Sequence, residues 1–199
     1  MPVVFAVFTV LAAASVFGAF TGGAAARADD LVLAGPHPSL KENAITVQFL
    51  AGEGLGDSFT GRGVGLGYGY MLQGPLWLDL QMNVRASGCG PFRSSCGAHT
   101  GNDAELMAGV AWRFRTDIPV VPFLRGDAGL VYLYPDGAQS AFGLAVRGGA
   151  GMRYYVFDWL GFGVEGALSL GHGYFAQAYT AGKGYAVVDV AFGVEYQFR

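Results

Sequence analysis

Two cysteines, three histidines and a periodic set of charged side chains are the residues of this chain able to do chemistry. Cys89 and Cys96 are the only cysteines, seven positions apart within Ser87-Gly88-Cys89-Gly90-Pro91-Phe92-Arg93-Ser94-Ser95-Cys96-Gly97. An even count in an exported chain favours a disulfide, which on the chain-entropy model stabilises by about 2–3 kcal/mol for so short a loop. A metal site would need further ligands, and only His99 is near. Hydrolytic chemistry would need a nucleophile beside a base. His172 has Ser169 three positions earlier, on the opposite face of any strand, and His37 and His99 have no such partner. Gly63-Val64-Gly65-Leu66-Gly67 resembles a nucleotide-binding glycine run, but no helix follows to hold phosphate. No catalytic residue, cofactor or metal is expected.

The charges carry more information. In the strand-like segments from residue 76 onward they are Asp79, Arg85, Asp103, Glu105, Arg113, Arg115, Arg125, Asp127, Arg147, Arg153, Glu165, Asp189 and Glu195, and every one is at an odd position. Random facing would give a single parity roughly once in 4,000 trials, so these segments are strands with two unlike faces. Even positions there hold aliphatic, aromatic or small residues and Pro122. The alternation predicts eight strands, over 45–51, 62–72, 76–85, 103–115, 121–134, 141–156, 160–171 and 185–198.

The composition agrees with strands that meet lipid. Of 199 residues, 52% are hydrophobic, only 14% are charged and 33 are glycine, which excludes intrinsic disorder. Twelve Lys and Arg against 15 Asp and Glu leave no basic footprint for nucleic acid. Glycine at this frequency disfavours a helical membrane bundle. Residues 3–21 are apolar and uncharged, and Ala26-Arg27-Ala28 fits the small-residue cleavage pattern. Residues 1–28 therefore read as a signal peptide cleaved after Ala28, although no Lys or Arg precedes Arg27, which leaves open a start upstream of Met1. Residues 29–43 form a lead-in and 44–199 the strand domain.

Two further features decide which face is inside. The apolar face is large in every strand, whereas the other combines glycine with mixed charge. Connections alternate in length: 52–61 is long, 73–75 tight, 86–102 long, 116–120 short, 135–140 intermediate, 157–159 tight and 172–184 long. Apolar-out, polar-in strands with alternating short turns and long loops describe a closed eight-stranded antiparallel up-and-down transmembrane barrel. Both mature termini then lie at the short-turn end. Trp112, Phe114, Tyr154, Phe162, Tyr196, Phe198, Tyr68 and Tyr70 fall at that end, and Tyr132, Tyr134 and Phe142 at the other, as two aromatic girdles. The interior charges should pair, since an unpaired buried charge costs several kcal/mol. Gly63, Gly65, Gly67, Gly69, Gly149, Gly151, Gly161 and Gly163 either make room for bulky neighbours such as Trp77, Arg147 and Tyr155 or line a small cavity.

From about residue 44 to 199 this pattern resembles the small eight-stranded outer-membrane barrels of Gram-negative bacteria, OmpA/OmpX-like. The resemblance implies an outer-membrane location, contact with outer-membrane lipid, and insertion by the barrel-assembly machinery. Gly193, Tyr196 and Phe198 resemble the family's C-terminal assembly signal, here followed by Arg199. The expected function is a non-enzymatic barrel with a structural role or a surface contact through loops 86–102 and 172–184, which carry Phe92, Tyr174, Phe175 and Tyr179. The alternatives are a narrow porin-like channel for ions or small ligands and, less well supported, a lipid A-modifying enzyme.

Overall fold

In a computed structural model, which describes residues 40–55, 61–87, 101–135, 140–175 and 178–199, these residues form eight strands and no helix. The expected signal segment, Cys89, Cys96, His37 and His99 lie outside the described residues. The strands are β1 (Asn43–Gly54), β2 (Gly61–Gln73), β3 (Leu76–Ser87), β4 (Gly101–Arg113), β5 (Val120–Pro135), β6 (Ala141–Phe157), β7 (Leu160–Phe175) and β8 (Ala178–Phe198). Each pairs antiparallel with the next, and β8 pairs with β1, closing the barrel.

The register fixes the barrel's geometry. Register partners run from Asn43 through Tyr70, Leu78, Val110, Gly126, Gly148, Leu168 and Val188 back to Glu53 of β1. The circuit returns ten residues along the strand (53 minus 43), and eight strands with that stagger tilt by about 40°. A barrel of this size is filled by its own side chains. β1 turns its even positions inward and β2–β8 their odd ones, so Phe49, Leu106, Leu124, Val146 and Phe192 stand exposed on the outer wall.

Local sequence chemistry sets the strand ends. Gly74 has φ of 56° and Pro75 follows it in the two-residue β2–β3 hairpin. Pro cannot adopt positive φ, so this is a II′ turn, with glycine at the position that requires it. β4 stops at Arg113, not at 115 as the alternation predicts. The Phe114 amide donates to the Pro122 carbonyl at 2.8 Å, but Pro122 has no N–H with which to return the bond. Arg115 consequently lies exposed in the turn beyond the strand.

The larger correction concerns 172–184, expected as a long loop. β7 continues to Phe175 and β8 starts at Ala178, with Gly173 paired to Lys183 and Tyr174 to Gly182 before the register shifts. Gly173, Gly182 and Gly184 break the hydrophobic alternation and read as loop. A backbone ladder needs no side chains, however, and it runs on through them. β1–β4 span 12–13 residues whereas β5–β8 span 16–21, so one side of the wall is built from longer strands.

Candidate functional site

The chemistry of this molecule is concentrated in its lumen. Of the thirteen charges singled out above, all but Arg115 are buried there. They form three groups, two centred on arginine and one on a carboxylate. Nearest the loop end, Arg85 donates to Asp189 from Nε (2.9 Å) and Nη2 (2.7 Å), to Glu105 (2.9 Å), and to Asp103. The Tyr185 hydroxyl sits between Asp103 and Glu105 at 3.0 and 2.9 Å, and also accepts from Arg85 at 2.7 Å. Arg147 joins this group by donating to Asp189 (2.5 Å) and to the Ser169 hydroxyl (3.0 Å).

Midway along the barrel, Arg125 faces three carboxylates: Asp79 at 3.1 Å, Glu165 at 2.6 Å and Asp127 at 3.5 Å. Its Nη2 also donates to Gln81 at 2.5 Å. Among the described residues neither Asp127 oxygen has a hydrogen-bond partner. Nearest the termini the balance reverses. Glu195 accepts a two-pronged bond from Arg113 (2.9 and 3.1 Å) and pairs with Arg153, while Thr46 and Gln197 donate to it at 3.2 and 2.9 Å. The Arg113 guanidinium lies 3.6 Å from the centre of the Trp77 ring, and Arg153 lies 4.7 Å from that of Phe123. Two-pronged arginine–carboxylate contacts and cation–π stacking are the geometries by which a buried guanidinium recovers its lost hydration.

Apolar side chains flank these groups. Met107, Val131, Leu133, Ala141, Ala145, Tyr185 and Val187 pack together inside the barrel, and Ala44, Trp77 and Ala111 form a second cluster against Leu40 and Met71. The glycines expected to make room do so at specific points. A Cβ on Gly161 would come within 2.8 Å of the Tyr155 ring, and one on Gly69 within 3.2 Å of Trp77. Gly149 faces Glu165 and Arg125 at 2.8 and 3.4 Å, so its space is not used by Arg147. A void of about 10 Å³ remains between Thr46, Gln48, Arg153, Glu165 and Glu195, enough for about one water.

The barrel superposes on the crystal structure of Neisserial surface protein A with a TM-score of 0.62 and 15% identity, over 80% of this chain and 99% of that one. The fold is that of the small eight-stranded outer-membrane barrels. Ail of Yersinia pestis (TM-score 0.47, 15% identity, 80% of this chain and 100% of that one) and OprG of Pseudomonas aeruginosa (0.44, 12%, 80% and 97%) also match. No family model matches the sequence, and no curated protein matches it.

Within this outer-membrane barrel fold, His172 points outward from β7 and is exposed, whereas Ser169 points into the lumen and is fully buried. The wall of the barrel separates them. Among the described residues no cluster of three His, Cys, Asp or Glu side chains could hold a metal ion. Gly193, Tyr196 and Phe198 occupy the last turns of β8, where Tyr196 packs edge-on against Trp159 at 5.8 Å and stacks with Phe198 at 5.9 Å. The neutral members of the lumen network, Gln48, Gln81, Asn83, Ser169, Tyr185 and Gln197, were missed in the sequence reading. In β3–β8 they share the odd parity of the charges, and that parity was the available signal.

Proposed function

We propose that this chain resides in the outer membrane of a Gram-negative bacterium as a non-enzymatic barrel, and that its role is structural or exercised at the surface of its loop end. The observation that carries this reading is the inversion of the wall: ion pairs inside, exposed leucine, valine and phenylalanine outside. Such a surface suits hydrocarbon and is poorly suited to water. The packed, paired lumen supports a structural plug over a narrow pore.

Electrophoresis of the membrane fraction tests the reading. A folded, SDS-resistant band that shifts on boiling is expected, and an unshifted protein in the soluble fraction overturns it. For the surface role, replacing loop 86–102 and the tip of the 172–184 hairpin by short glycine-rich turns should abolish binding to any surface ligand while leaving that folded band. Binding that persists removes the assignment to these segments. The same reading takes Cys89 and Cys96 as a disulfide, to be checked by mass with and without reduction before alkylation. It takes Gly193, Tyr196 and Phe198 as an assembly signal, so Phe198→Ala should lower the inserted fraction.

A further inference from the structure

The outer wall is apolar with few exceptions, and three of them stand in one row of register partners. Arg62 of β2 is the register partner of Ala86 of β3, Ala86 of Asn102 of β4, and Asn102 of Tyr134 of β5. All four occupy outward positions. Arg62, Ala86 and Asn102 are exposed, and Tyr134 is half-buried. Adjacent strands are about 4.8 Å apart, so Arg62 and Asn102 stand about 10 Å apart with only the Ala86 methyl between them. Tyr134 bounds the far side, its ring edge-on to Tyr132 at 4.2 Å. Val64, Val84 and Ala104, the next outward residues toward the termini, make the wall below apolar.

The level of this notch is set by the strand. Counted from Tyr70 in the girdle at the terminus end, Arg62 is the ninth residue along β2, and a tilted strand needs about 9–11 to cross the hydrocarbon. The long Arg62 side chain therefore reaches up to the headgroup layer at the loop end. Arg62 and Asn102 have no hydrogen-bond or ion-pair partner among the described residues. Glu53 projects from β1 on the other flank of Arg62, two positions beyond its partner Ala51.

We propose that this notch binds the phosphorylated headgroup of an outer-leaflet glycolipid, with Arg62 holding the phosphate and Asn102 and Tyr134 contacting sugar hydroxyls. An arginine with no ion-pair partner among the described residues, standing beside neutral donors, complements an anionic sugar, and the apolar wall beneath accommodates acyl chains, which a free phosphate lacks. The proposal rests on the membrane reading given above.

The test uses the full chain in phosphatidylcholine nanodiscs doped with lipid A or with dephosphorylated lipid A, and counts retained glycolipid by native mass spectrometry. Lipid A should be retained in preference to its dephosphorylated form, and excess inorganic phosphate should not displace it. Arg62→Gln should weaken retention by about tenfold or more, the effect of losing one charge-assisted phosphate contact. Arg115→Gln, at the opposite end, should leave it unchanged. Equal retention by the Arg62→Gln protein, no preference for phosphate, or displacement by inorganic phosphate overturns the proposal. A boiled-versus-unboiled gel of the same samples separates the two failures. A folded band without lipid A preference sinks this site alone, and the absence of a folded band sinks the membrane reading.

Discussion

Glu195 shows how a single buried carboxylate can organise one end of a barrel. It is shared by Arg113 and Arg153 and receives Thr46 and Gln197 as well. Removing one partner of a buried ion pair strands the others, at a cost of about 3–5 kcal/mol. Glu195→Ala should lose that much in urea unfolding from lipid vesicles, and Glu195→Gln, which keeps an acceptor for arginine, distinctly less. Equal losses would mean that the charge contributes nothing beyond its volume. The glycines give a second contrast at this scale. Gly161→Ala forces a methyl against the Tyr155 ring and should destabilise by about 1–3 kcal/mol. Gly148, which faces outward with no atom within 4 Å of its would-be Cβ, should accept alanine within about 0.5 kcal/mol. The same unfolding assay distinguishes them.

At the level of elements, the strands were legible because charge and apolarity alternate without a break of phase from β3 to β8. Their ends were harder to read, for two different reasons. At Arg115 the alternation runs on past the strand, because the missing N–H of Pro122 stops the ladder without changing the side-chain pattern. In 172–184 the ladder runs on past the alternation, because glycines sustain hydrogen bonds while carrying no hydrophobic signal. Which charges share a lumen follows from parity alone. Which of them touch depends on the ten-residue stagger, and the sequence by itself does not reveal that. The outer faces make a prediction of their own. Phe49 is 53% exposed midway up β1, and Phe49→Arg should destabilise the inserted barrel by about 2–4 kcal/mol. Leu72→Arg, at the terminus-end margin, should cost about 0–1 kcal/mol, read as the change in folded fraction across a urea series. If the two substitutions cost the same, that wall is not facing hydrocarbon.

For the molecule as a whole, the described lumen is lined by paired charges. Its ion pairs extend from the Arg85 group to the Arg113 group, with a void for about one water beside Glu165 and Glu195. Planar bilayers containing the purified barrel should show no reproducible stepwise conductance. Steps that disappear on replacing Arg125 or Asp127 would instead establish the channel.

The pairing across the lumen also bears on how the chain is made. Arg85, Arg113, Arg147 and Arg153 lie on β3, β4 and β6, and each is paired with Asp189 or Glu195 of β8. Until the last strand arrives, those four guanidiniums lack these carboxylates, and Arg113 and Arg153 lack any ion-pair partner among the described residues. A chain truncated before β8 would be penalised twice, by an open sheet edge and by the guanidiniums left without their partners. Ion pairing thus acts as a completeness check, satisfied only when the C-terminal strand has taken its place.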